Sequence, residues 1–173
     1  MGYATVRNAL VNFFAVTPGM QAMYKEAPWI VNGSDFKLNP GTTSAAVGFI
    51  HIDQTQEERI TLPAYTGSKG VDYTCSLVFL YKYERPANLS SGLKEDEWVT
   101  GLDLLIDTVK AKIRSDENGG VPGIIFQMGT GAGAGAATEG PDIMVQQDLP
   151  EDDGQGIFTL VRVEFHVYEI IQA

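Results

Sequence analysis

The sequence predicts an α+β domain, and three features of its patterning lead there. Val71–Glu84 and Gly156–Ile171 alternate apolar and polar residues over long stretches, the period of a strand. Between them, Glu95–Asp116 repeats apolar residues at three- and four-residue intervals, which gathers them on one face of a helix. Against this packing surface stand few residues suited to chemistry, so the chain reads as one that assembles rather than one that turns over substrate.

Taken in order, the first helix is expected over Tyr3–Ala15, where Val6, Leu10, Phe13 and Phe14 share a face. Thr17-Pro18-Gly19 ends it, because Pro cannot continue the hydrogen-bond ladder and Gly takes a positive φ cheaply. A short strand follows at Met20–Lys25, and Ala27-Pro28-Trp29 then breaks into a polar stretch whose 33–44 part is expected to be a mobile loop. Ala45–Gln54 and Glu58–Pro63 predict a hairpin, with Asp53–Glu57 as its polar turn. In Val71–Glu84, Tyr73, Cys75, Leu77, Phe79, Tyr81 and Tyr83 lie on one side. Val78 and Leu80 interrupt the polar side, which predicts an interior strand covered on both faces over that stretch.

The second helix buries Trp98, Leu102, Leu105, Ile106, Val109 and Ile113, worth roughly 9–18 kcal/mol before entropy as an upper bound. Glu95, Asp96 and Glu97 sit at its positive end, and Lys110, Lys112 and Arg114 at its negative end, each placement adding about 0.3–1 kcal/mol. Beyond it, Ile124–Met128 and Asp142–Asp148 are strand candidates. The Gly/Ala tract between them, Gly129–Gly140, is expected to be a second mobile loop. Pro150–Gly156 forms an acidic turn before the closing strand. There Val161, Val163, Phe165, Val167 and Ile171 point one way, and Arg162, Glu164, His166 and Tyr168 the other.

A chain of 173 residues is expected to fold as one domain, 1–173, without needing disulfides or metals. Its formal net charge of −10 disfavours wrapping nucleic acid, which requires clustered Lys and Arg. An acidic surface could still line a conduit through which DNA slides without sticking, beside the plainer role of keeping the protein in solution. Cys75 has no second cysteine to pair with and should pack as a small hydrophobe. The start of the chain lacks the pattern of a secretory signal, and no apolar run is long enough to span a bilayer. The expectation is a soluble protein made in a cytoplasm, with no membrane partner.

Each possible chemistry has a plainer competitor. Gly129-Thr130-Gly131-Ala132-Gly133-Ala134-Gly135 invites a phosphate-loop reading, but no Lys follows and Glu139-Gly140-Pro141 does not open a helix. Gly131, Gly133 and Gly135 are therefore assigned to a flexible surface or interface loop. His51 and His166 have no spacing that suggests a metal site, and no Gly-x-Ser-x-Gly elbow recommends a nucleophile. Glu151-Asp152-Asp153 lacks the ligand alternation of a calcium loop, and Gly154 favours a turn. Tyr24 and Trp29 are candidate exposed anchors for another protein, since such residues concentrate at interface hot spots; a core role is the competing reading. No catalytic residue, metal or cofactor is expected.

Several segments together resemble the tail terminator proteins of long-tailed phages, especially those infecting actinobacteria. They are Val16-Thr17-Pro18-Gly19-Met20 closing the opening helix, Ala27-Pro28-Trp29, and the strand with Val71-Asp72-Tyr73 and Leu77-Val78-Phe79-Leu80-Tyr81-Lys82-Tyr83. The helix around Trp98-Val99 and Leu102–Leu105 and the closing Val163-Glu164-Phe165-His166-Val167-Tyr168-Glu169-Ile170-Ile171 complete the set. The resemblance spans nearly the whole chain as an order of elements. It implies a mainly antiparallel β-sheet packed by the two main helices. It also implies a homo-oligomeric ring, usually a hexamer, in the tail-neck region of the virion. Such a ring stops tail-tube growth and joins tail to head, touching the tail-tube protein on one side and a head-closure protein on the other. DNA passes through its bore as cargo. The alternatives are another neck adaptor, such as a head-closure or connector protein, and a small enzyme or ligand-binding domain using the 129–140 loop. A thermal shift with nucleotides or divalent ions separates the last from the others.

Overall fold

A computed structural model describes residues 2–25, 36–59, 69–84, 92–115, 124–127 and 143–171. In chain order these form α1 (Tyr3–Ala15), β1 (Met20–Tyr24), β2 (Ser44–Arg59), β3 (Lys69–Glu84) and α2 (Gly92–Ser115). They continue with β4 (Ile124–Gln127), β5 (Met144–Gln147), β6 (Glu151–Asp152) and β7 (Gly156–Ile171). The strands join into one sheet in the order β1-β2-β3-β7, and β4, β5 and β6 share the far side of β7. The β1–β2 pair is parallel and the other described pairs are antiparallel, so the fold is α+β with a mainly antiparallel sheet.

One face of this sheet is sealed by both helices. Residues 73, 75, 77, 79, 81 and 83 of β3 and 161, 163, 165 and 167 of β7 are all buried there, as the period of two requires. From α1, Val6, Leu10 and Phe14 enter the same core, with the Phe14 ring 5.6 Å from that of Phe165. The stripe expected on α2, Trp98 through Ile113, is buried against it at every position named above. The two helices meet where Lys112 Nζ lies 4.6 Å over the Phe13 ring, a cation–π contact. Gly101 sets how closely α2 approaches, because a methyl there would overlap the Tyr81 hydroxyl. After α1, the turn at Thr17-Pro18-Gly19 uses the positive φ of Gly19, +86°.

The region after Ala45 differs from expectation. The Asp53–Glu57 turn does not exist: β2 runs unbroken to Arg59, and its hairpin partner is β3 rather than Glu58–Pro63. A bulge between Ile52 and Gln54 inserts one residue against the Cys75–Thr74 step. The phase of the strand flips there. Upstream, Ala46, Ile50 and Ile52 face the helices; downstream, Thr55 does, donating a hydrogen bond to the Tyr3 hydroxyl on α1. A polar run that looks like a turn is thus a strand whose polar residues fall on both faces of an exposed ribbon. Residues 60–63 of the expected second arm lie outside the described residues. The acidic Pro150–Gly156 segment is partly strand as well: Asp152 pairs with Ile157 in β6 before Asp153-Gly154-Gln155 turns the chain.

Candidate assembly surface

The other face of the sheet carries no helix among the described residues, and its side chains form ionic rows instead of a second core. Arg162 on β7 is the hub. Its guanidinium bonds the carboxylate of Asp53, the bulge residue of β2, and donates from Nε to Ser76 Oγ at 3.0 Å. Ser76 in turn donates to Asp53 Oδ2 at 2.6 Å. Glu164 Oε2 lies 3.8 Å from the same guanidinium, and His51 Nε2 lies 3.6 Å from Asp53 Oδ1. Further along, His166 Nδ1 stands 3.2 Å from Asp72 Oδ1. The bulge makes the triangle possible, since two consecutive β2 residues, Asp53 and Gln54, oppose one residue of β3.

At the opposite end of this face a small apolar cluster forms. Phe36 folds over Ala45 and Val47, with Ala22, Leu38 and Leu80 beside them. This covers β3 on its second side at Leu80, as its doubly apolar centre predicted. Lys82 is buried beneath the cluster, donating to the Phe36 carbonyl at 3.0 Å with Glu84 Oε1 3.6 Å away. The Gln21 side chain donates to the Lys37 carbonyl at 3.0 Å and accepts from the Asn39 amide at 2.9 Å. Of the expected 33–44 loop, residues 36–39 are therefore tied to the sheet. Leu160, directly across from Leu80, is 42% exposed, so the apolar strip runs out toward β7 uncovered.

Reactive groups are held in unreactive states. Burial, with the charges of Asp53 and Asp72, pushes the Cys75 thiol up to about 12, which removes the thiolate needed for nucleophilic attack or metal ligation. Burial and a hydrogen bond to Glu97 push Tyr83 up to about 12 as well, so it serves as a donor at 2.6 Å. Tyr73, raised chiefly by burial, donates to the buried carboxylate of Glu169 at 2.9 Å. In the acidic turn, Asp152 Oδ1 accepts the Gly154 amide, and Asp153 Oδ1 accepts those of Gln155 and Gly156. Burial alone would raise Asp153, but these backbone bonds and the charge of Lys82 hold it below the usual carboxylate range. Among the described residues no three His, Cys, Asp or Glu side chains converge as metal ligands.

Neither a protein-family model nor a curated protein matches the chain. No helix among the described residues is long and apolar enough to cross a membrane. Of the interface residues expected from sequence, Tyr24 ends β1 at the border of the sheet, 42% exposed. Trp29, Gly131, Gly133 and Gly135 lie outside the described residues, as does the 129–140 tract as a whole. The structure instead brings forward Asp53, Ser76, Arg162 and Glu164. The polar side of the closing strand announced Arg162 and Glu164. Asp53 falls in the stretch whose pattern predicts a turn, and Ser76 belongs to the polar side of β3, where nothing in the sequence marks its partners.

Proposed function

We propose that this protein is the tail terminator of a long-tailed phage, a ring that caps the tail tube and joins it to the head-neck complex. The observation that carries the reading is the two-sidedness of the sheet. One face is spent on the helices, while the other carries ionic rows around Arg162 beside the small Phe36 cluster, and that ionic stretch suits the wall of a water-filled bore. Two cations on that face are already matched, Arg162 by Asp53 and Glu164 and Lys82 by Glu84. A formal charge of −10 per chain then keeps the wall from gripping phosphates, so duplex DNA passes without a binding trap. Of the segments that resemble tail terminators, Val16–Met20 forms the turn from α1 into β1 and three others fall on β3, α2 and β7, while Ala27-Pro28-Trp29 lies outside the described residues. The partners are further copies of the chain, the tail-tube protein and a head-closure protein, with DNA as cargo.

The test is a phage carrying a stop codon early in this gene. Electron microscopy of the lysate should show tubes of uncontrolled length and heads without tails, restored by supplying the protein in trans. Tails of normal length joined efficiently to heads would end the reading.

A further inference from the structure

The distribution of charge across the strands runs opposite to what a lone sheet needs. The interior strands β2, β3 and β7 all carry charged residues, among them Asp53, Lys82 and Arg162. Of the border strands, β6 is the charged Glu151-Asp152 pair, whereas β1, β4 and β5 carry no charge. β1 reads Met20-Gln21-Ala22-Met23-Tyr24, and on the opposite border β4 reads Ile124-Ile125-Phe126-Gln127 and β5 reads Met144-Val145-Gln146-Gln147. No Lys, Glu, Asp or Pro interrupts any of them. Sheets that must stay alone guard their borders with such residues, because an unguarded ladder edge accepts another strand. Among the described residues no strand pairs with the outer side of β1 or of β5. Each border also presents a large apolar side chain to solvent, Tyr24 at 42% exposure and Met144 at 49%.

We infer that β5 of one copy pairs with β1 of the next, so that the sheet continues from subunit to subunit. The inference rests on the ring reading and names its joint. Strand direction supports a second copy as the occupant. β1 runs with β2, β3 runs against β2, β7 against β3, and β5 against β7, so β1 and β5 point in opposite directions. Copies related by rotation about an axis along the strands therefore meet with β5 antiparallel to β1, the better-bonded arrangement. The joint is head-to-tail, so each copy keeps one border free for the next and the series can close. It also leaves every helix on one side and every ionic face on the other. Charge argues the same way: copies of −10 repel, and they approach more cheaply along the uncharged β1 and β5 than along the acidic β6.

Cysteine cross-linking in the purified protein decides it, because Cys75 is fully buried and will not interfere. Ala22→Cys and Met23→Cys on β1, and Val145→Cys and Gln146→Cys on β5, are made separately, and variants with the parental melting temperature are kept. Mixing a β1 variant with a β5 variant under mild oxidation should give a covalent dimer for at least one combination, and neither variant alone should. Placing both cysteines in one chain should give a ladder of covalent multimers, and Gln146→Lys should lower the mass of the unlinked assembly. Dimers formed by one variant alone would mean a two-fold joint and overturn the inference. An oligomeric mass without mixed cross-links would overturn it and leave the ring reading standing. A monomeric mass at every concentration would also overturn it, with the ring still judged by tail length. Normal tails in the absence of the protein, with cross-links observed, would sink the tube-capping role and keep the joint.

Discussion

The closest approach between helix and sheet falls on a single pair, Gly101 above Tyr81. Gly101→Ala should destabilise the protein by about 1–3 kcal/mol through overpacking, despite the better helix propensity of alanine. Removing the hydroxyl with Tyr81→Phe should recover most of that loss in the double variant, a coupling that urea titrations of the four proteins will measure. Titration gives a second handle at this scale. The Cys75 thiol rises from an ordinary 9.0 to about 12 in the fold, and the Tyr83 hydroxyl from 10.0 to about 12. Both keep their protons in the folded state and lose them first in the unfolded one. Stability should therefore be intact below pH 9 and fall as pH rises from there toward 12. In Cys75→Ala the decline should begin later, near pH 10, when urea midpoints are compared across that range; an unchanged onset would mean that the thiol contributes nothing to it.

Among the elements, the bulge in β2 yields the sharpest contrast. Deleting Asp53 removes the extra residue, lets Gln54 take its place, and leaves Thr55 opposite Tyr73 as before. The cost should be that of its bonds with Arg162 and Ser76, about 1–2 kcal/mol, in a protein that still unfolds cooperatively. Deleting Ile50 from the regular ladder instead slides every residue on one side of the gap to the wrong face, and that chain should fail to fold. Circular dichroism and solubility separate the two outcomes. The same strand shows what a sequence can and cannot disclose. Tyr3–Ala15 and Gly156–Ile171 were legible to the residue because one apolar period holds along each without a break. In β2 the bulge flips the period midway, so Asp53–Glu57 loses its alternation and mimics a turn, although each of its residues lies in a strand. The same flip concealed the candidate surface, since the hub needs Asp53 beside Arg162, 109 residues away. No local pattern encodes a contact of that range.

At the scale of the whole molecule, the sheet divides its labour between its faces, helices on one side, ionic rows and the small Phe36 cluster on the other, with the uncharged β1 and β5 at its borders. β7 holds this arrangement together, since it bonds β3 along its full length on one side and β4, β5 and β6 in succession on the other. Every strand it joins precedes it in the chain. During synthesis the nascent polypeptide must therefore wait, with one edge of β3 unpaired and three later strands lacking their shared neighbour, until the β7 residues clear the ribosome. Long-range pairing of this kind is slow and leaves sticky intermediates. The expected practical result is a higher soluble yield with co-expressed chaperones and in cool expression, both acting on the step that inserts this last long strand.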